Sequence, residues 1–170
     1  MIKLRETSAF AGYVFPKHGL DLAIRAIPSV CITSVSPWPG QGAILRSQLG
    51  GFPDPGEVIH LGHLRLVWAG RETAFVFGAP PPTDLQSCCA VCDQSDGWAG
   101  IEIAGAGAEA FLTRRLPFDL RKLRAPGSAR SLLGHLPILV VRTDQASFEL
   151  WFWRSMTASL LHELDIKEIN

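Results

Sequence analysis

IEIAGAGAEAFL, residues 101–112, places Gly105, Gly107 and Ala110 in the spacing G-x-G-x-x-A between an apolar run and a helical pattern. That spacing marks a dinucleotide turn when it follows a parallel strand and opens a βαβ crossover. A parallel strand buried on both faces reads as a near-continuous apolar run. Here Glu102 interrupts the isoleucines. An acidic ribose ligand is expected about 20 residues after the glycines, and Asp119 comes too early, in a loop. The stretch that follows the helix reads as a hairpin. Gly105 and Gly107 are therefore read as a tight strand-to-helix turn, and a doubly wound nucleotide fold is set aside.

Working outward, the order of elements occurs twice. IPSVCITSVS, beginning at Ile27, is rich in β-branched residues and reads as a strand. A short helix from about Gly40 to Leu49 closes on Gly50-Gly51. HLGHLRLVWAG and TAFVFG then read as two strands turning at Gly70-Arg71-Glu72, and PPPTDLQSCCAVC as a helix capped by Thr83 or Asp84 and running to about Cys92. The second pass has the strand WAGIEIAG and the helix AGAEAFLTRRL with Ala108, Phe111, Leu112 and Leu116 on one face. After the loop PFDLRKLRAPGSARSLLG come the strands HLPILVVRTD and SFELWFW, then a final helix capped by Ser155 with Met156, Leu160, Leu161 and Leu164 inward. The repeat period is about 72 residues. The fold expected is α+β, with two tandem ferredoxin-like βαββα halves, about 27–92 and 98–164, in one compact unit over 1–170.

The bulk numbers narrow the function. Sixteen basic and sixteen acidic residues cancel, so the counterion-releasing field that nucleic acid requires is not expected. The one basic cluster, RRLPFDLRKLR at 114–124, is broken by Leu, Pro and Asp119 and reads as a solvated helix end. No apolar run approaches the roughly 18 residues of a membrane span. Arg5 and Glu6 stand where a signal peptide needs its apolar segment, so a cytoplasmic protein is expected. A neutral chain that is 47% hydrophobic also points to surface covered by a partner.

Catalytic patterns do not emerge. None of His18, His60, His63, His135 and His162 lies in a nucleophile motif, and there is no G-x-S-x-G elbow or Gly-Lys-Ser/Thr loop. Asp93 and Asp96 flank a turn, where Asp binds its own backbone. Cys89-Ala-Val-Cys92 is a C-x-x-C, and His60-Leu-Gly-His63 offers a second ligand pair for zinc at a spacing short of finger geometry. Reduced, buried cysteines on a helix are the competing reading, and the role of Cys88, Cys89 and Cys92 stays open. The strongest binding signal is FELWFWRS. In a strand, Phe148, Leu150 and Phe152 face one way and Glu149, Trp151 and Trp153 the other. The tryptophan face needs a second layer or a partner. Trp151, Trp153 and Arg154 are the candidate partner contacts, because tryptophan and arginine anchor interfaces.

DQSDGWAGIEIAGAGAEAFLTRRLPFDL resembles the central stretch of the gamma subunit of heterotetrameric sarcosine oxidase. The matching positions are the turn Asp93, Ser95, Asp96, Gly97, the strand exit at Gly105, the helix from Ala108 to Leu112, and Asp119-Leu120. His135, Arg154 and Ser155 match the C-terminal half of that pattern. Ala106 and Arg71-Glu72-Thr73 depart from it. The resemblance implies a fold related to the folate-binding part of glycine-cleavage aminomethyltransferase. It also implies a non-catalytic structural subunit without cofactors of its own. Larger subunits, chiefly a folate-binding alpha subunit, would carry FAD, FMN, NAD, zinc and tetrahydrofolate for the oxidative demethylation of sarcosine or a related N-methyl amine. The alternative is a standalone folate or small-molecule binding domain of the same fold. Uncovered apolar surface would also allow the isolated chain to self-associate, and its oligomeric state in isolation stays open.

Overall fold

A computed structural model of the chain describes residues 7–19, 21–81 and 83–165. Arg5 and Glu6, both ends of the 1–170 unit and the side chain of Thr83 lie outside the described residues. A short hairpin comes first, β1 (Lys17–Gly19) and β2 (Leu22–Ala26), where the sequence marked no element. It is followed by β3 (Ile32–Pro37) and α1 (Gly42–Leu49), which ends on Gly50 in the left-handed conformation at φ 76°. Next come β4 (Val58–Leu61), β5 (Leu64–Gly70), β6 (Thr73–Phe77), a 3₁₀ turn (Thr83–Ser87) and β7 (Cys89–Asp93). The second half holds β8 (Trp98–Ala104), α2 (Ala108–Thr113), β9 (Gly127–Leu133), β10 (Leu136–Asp144), β11 (Ser147–Trp153) and α3 (Thr157–Glu163).

Four expectations are corrected. HLGHLRLVWAG is two strands, because Gly62 takes φ 59° and lets Leu61 pair directly with Leu64. GSARSLL is the strand β9 and not loop. Its Gly and Ser hide the pattern, yet it pairs with β10 along its whole length. CAVCD is strand, not the end of a helix, because the outer edge of β3 is free to accept it from Thr33 to Pro37. Ser155 does not cap the last helix: a 3₁₀ turn, Arg154–Met156, leads into it, and the Thr157 hydroxyl donates to the Arg154 carbonyl at 2.7 Å. Each half thus opens strand–helix–strand–strand–strand, one strand more than expected before the closing element, which is the 3₁₀ turn and β7 in the first half and α3 in the second.

Every strand pairing is antiparallel. The first sheet runs β1-β2-β8-β11-β10-β9 and the second β4-β5-β6-β3-β7. The strand that precedes each half in sequence crosses to the other half's sheet. β2 leads into β3 but pairs with β8, while β7 leads into β8 but pairs with β3.

Alternation then sorts the side chains into layers. Ile101, Ile103, Ile138, Val140, Phe148, Leu150 and Phe152 pack against Leu112, Leu116, Leu160 and Leu161 of the α2 and α3 region. On the second sheet, Val35, Leu66, Ala74 and Val76 pack outward against Leu45 of α1 and Leu85 of the 3₁₀ turn. Between the sheets lie Ile32, Val67, Phe75, Phe77, Trp98, Leu139, Val141 and Trp151. β10 is buried on both faces, which is why ILVV reads as an unbroken apolar run.

The inter-sheet layer is aromatic and closely fitted. Phe75 meets Trp98 edge-on at 5.0 Å between centroids, and Phe77 meets Trp151 at 4.8 Å. Gly100 pairs directly with Trp151, and a Cβ there would stand 2.7 Å from the indole ring. Gly100→Ala is expected to cost about 2 kcal/mol, the usual range for overpacking. In urea unfolding, Gly100→Ala combined with Trp151→Leu should lose clearly less than the sum of the two single changes. Strict additivity would mean that the indole does not rest on Gly100.

Candidate functional site

The opening glycines find their physical reason in the N-terminal hairpin. Gly105 takes φ 129°, and a Cβ there would stand 2.3 Å from the Asp21 carbonyl oxygen. The Gly107 amide donates to that same carbonyl at 3.2 Å. The space a pyrophosphate would need against this turn is filled by the chain's own backbone. β8 is antiparallel to both neighbours, so no parallel crossover exists at the turn.

The zinc arrangement does not form. His60 lies on β4 and Cys89 and Cys92 on β7, the two opposite edges of the five-stranded sheet. With strands about 4.8 Å apart, these groups are on the order of 19 Å from one another. Within β7, Cys89 and Cys92 are three residues apart and face opposite sides, one buried and one exposed. Among the described residues no three His, Cys, Asp or Glu side chains are grouped to hold a metal. Burial, and then neighbouring Cys88, push the Cys89 thiol up to about 11. A thiol held protonated this way is a poor nucleophile at neutral pH.

Other candidates keep to local roles. All five histidines are exposed and spread over separate elements. The Asp93 carboxylate accepts from the Ser95 amide at 2.9 Å and from its hydroxyl at 2.6 Å, which holds its pKa below the usual carboxylate range. Ser95 accepts in turn from the Ile32 amide at 3.1 Å, tying this turn to β3. In the basic stretch, Arg121 is paired with Asp119 at 2.8 Å and Arg115 lies over the Phe111 ring at 3.9 Å.

The three residues of FELWFWRS diverge. Trp151 is 2% exposed, covered by the second sheet, so its side chain presents no surface to a partner in the folded chain. Trp153, on the same face of β11, is 45% exposed. Arg154 donates from its guanidinium to the Thr7 carbonyl and from its backbone amide to the Gly97 carbonyl at 2.9 Å. It borders a cavity of about 210 Å³ lined by Phe10, Ile27, Val30, Trp98 and Trp151. The segment carrying Phe10 forms one wall of this cavity, and nothing in its sequence pattern announces that role.

The polar joint between the sheets is also absent from the sequence-based expectations. Arg65 of β5 grips Glu149 of β11 through two bonds, 2.7 and 2.6 Å. Glu149 also accepts from the Trp151 indole at 2.7 Å. The Arg65 guanidinium lies 4.9 Å from the Phe77 ring centre. Glu149 inside FELWFW is the signal that could have found it, since a carboxylate on a buried strand face demands a partner.

No protein-family model matches the chain, and no curated protein sequence does. Its fold is similar to that of solved structures. A chain of the heterotetrameric sarcosine oxidase from Corynebacterium sp. U-96, in complex with pyrrole 2-carboxylate, superposes with a TM-score of 0.74 at 23% identity, covering 92% of this chain and 87% of that one. The glycine cleavage system aminomethyltransferase T from Bartonella henselae gives 0.63 at 14% identity, and the match spans 85% of this chain but 45% of the aminomethyltransferase. At these identities the likeness is one of fold.

The placement of the two tryptophans and of Cys89 can be checked by unfolding. Trp151→Ser should cost about 4 kcal/mol, as large-to-small changes in a core do, whereas Trp153→Ser should leave the urea midpoint nearly unchanged. Equal losses would refute the assignment of one tryptophan to the core and the other to the surface. For Cys89, the native thiol keeps its proton above pH 9.0 while the unfolded chain sheds it. Its contribution to stability should be constant below about pH 9, fall between 9 and 11 and then level off. Denaturant titrations of the native chain and Cys89→Ala across that range check this, and parallel curves would contradict it.

Proposed function

We propose that this chain is a non-catalytic structural subunit of a sarcosine-oxidase-type flavoenzyme complex. Larger chains would carry the oxidative demethylation of sarcosine or a related N-methyl amine, together with FAD, FMN, NAD, zinc and tetrahydrofolate. One observation carries the reading. The fold likeness runs almost end to end over both this chain and a chain of a heterotetramer, covering 92% of the one and 87% of the other. The scattered, exposed histidines and the protonated Cys89 thiol fit a chain that contributes surface and not chemistry. In this reading Trp153 and Arg154 face the larger subunit in the cytoplasm.

A second reading, a standalone folate or small-molecule binding domain, rests on the likeness to the aminomethyltransferase and on the cavity beside Arg154. Taken alone the cavity is about 210 Å³, below the roughly 300 Å³ at which pockets for drug-sized ligands begin, but it shares Ser8, Ala9 and Arg154 with a more open one of about 520 Å³.

Tagged full-length chain, recovered from its native cells at endogenous level, separates the two. The expected result is a yellow complex with two larger chains that oxidises sarcosine or a related N-methyl amine. A colourless single chain that retains tetrahydrofolate would replace the first reading with the second.

A further inference from the structure

The two sheets are joined at one end and open at the other. At the joined end Glu57 forms a bridge with Gly127. The Ser128 amide donates to the Gly56 carbonyl at 2.8 Å, and its hydroxyl donates to the Trp68 carbonyl at 2.9 Å. Toward the other end, the inward faces of three neighbouring strands lose their cover together. On β9, Ser128 is buried, Arg130 is exposed and Leu132 is 44% exposed. On β10, Val141 and Leu139 are fully buried and Pro137 is half-buried. On β11, Glu149 is paired to the second sheet, Trp151 is buried and Trp153 is exposed. The register places Leu132 opposite Pro137, Pro137's neighbour Ile138 opposite Phe152, and Trp153 opposite Trp98. Leu132, Pro137 and Trp153 therefore form one apolar row across the sheet.

Arg130 stands one step inward from Leu132 on the same face. Its guanidinium lies 5.4 Å from the Trp98 ring centre and has no carboxylate partner among the described residues. Partial desolvation lowers its pKa, with no acidic group acting against that effect. A cation held over an indole beside an uncovered apolar row lacks one thing, an anion arriving with its own apolar neighbour.

We propose that the row Leu132–Pro137–Trp153, with Arg130 behind it, docks a segment of a larger partner chain that carries a carboxylate beside an apolar side chain. This rests on the subunit reading and deepens it by naming the surface and the chemistry it accepts. Trp153 and Leu132 supply the apolar contact, and Arg130 supplies the charge that orients the segment. Arg130 also selects against a basic one.

The test uses the complex recovered with the tagged full-length chain. A photo-crosslinking phenylalanine analogue is placed at position 132, and at position 44 on α1 as a control, since Ile44 is comparably exposed. Leu132→Ser, Trp153→Ser, Arg130→Glu and the control Ile44→Ser are compared after their urea midpoints show that each still folds. The result expected is a crosslink from 132 into a stretch of a larger chain with Asp or Glu next to an apolar residue. Retention of the larger chains should fall at least about tenfold in the three row variants, the effect of losing one strong interface anchor, and not in Ile44→Ser. A wild-type complex whose crosslinks arise only from position 44, or whose row variants retain the larger chains, overturns the docking surface and leaves the subunit reading intact. Crosslinking of 132 to a second copy of this chain overturns it in favour of a homodimer face. A wild-type chain that brings down no larger chain removes the subunit reading and the docking surface with it.

Discussion

Trp151 lies across β8 only because residue 100 has no side chain. From that contact the indole reaches Phe77 on the opposite sheet and donates to Glu149 two residues earlier on its own strand. Packed sheets stand about 10 Å apart, and the rings of Trp98, Trp151, Phe75 and Phe77 fill that space. A smaller residue at 151 would leave a void, and a larger one at 100 would push the ring into the second sheet. The close approach of the two sheets depends on this one pairing of the smallest residue with the largest.

The pair Arg65–Glu149 adds direction to that apolar contact. Two charges withdrawn from water recover their solvation only through good geometry, and such pairs add little net stability over a well-packed apolar substitute. Here the carboxylate is gripped by both terminal guanidinium nitrogens of Arg65 and also accepts from an indole, so its lone pairs are largely satisfied. Sliding one sheet over the other by a residue would leave Glu149 buried without Arg65, a cost of several kcal/mol. The aromatic layer sets the distance between the sheets, and the ion pair sets their alignment.

The same alignment leaves the far end uncovered. β9 is clipped to the second sheet at Gly127 and Ser128, while Leu132, Pro137 and Trp153 on the same face of β9, β10 and β11 are half-buried or exposed. A protein meant to be solvated all round would end this row in polar side chains. This one ends it in Leu132, Pro137 and Trp153, with the Arg130 guanidinium beside them.

Much of the core is legible in the order of the residues. The alternation in FELWFW assigns Phe148, Leu150 and Phe152 to one face correctly, and ILVV reads as strand. The helix from Ala108 and the stop at Gly50 follow from periodicity and left-handed geometry, and the isoleucine–glutamate alternation rightly argues against a dinucleotide turn. These are local properties, written in side-chain order within a few residues. Elements whose identity depends on a distant partner are not legible in this way. GSARSLL is a strand because β10 accepts it, CAVCD because β3 has a free edge, and residues 22–26 because β8 has another. Whether Trp151 is core or surface cannot be read from its own strand, since the two tryptophans alternate identically and differ only in how far the second sheet extends. The sequence alone determined which faces are apolar. The tertiary structure alone decided which of those faces the chain covers itself, because cover depends on where a second sheet, remote in sequence, comes to an end.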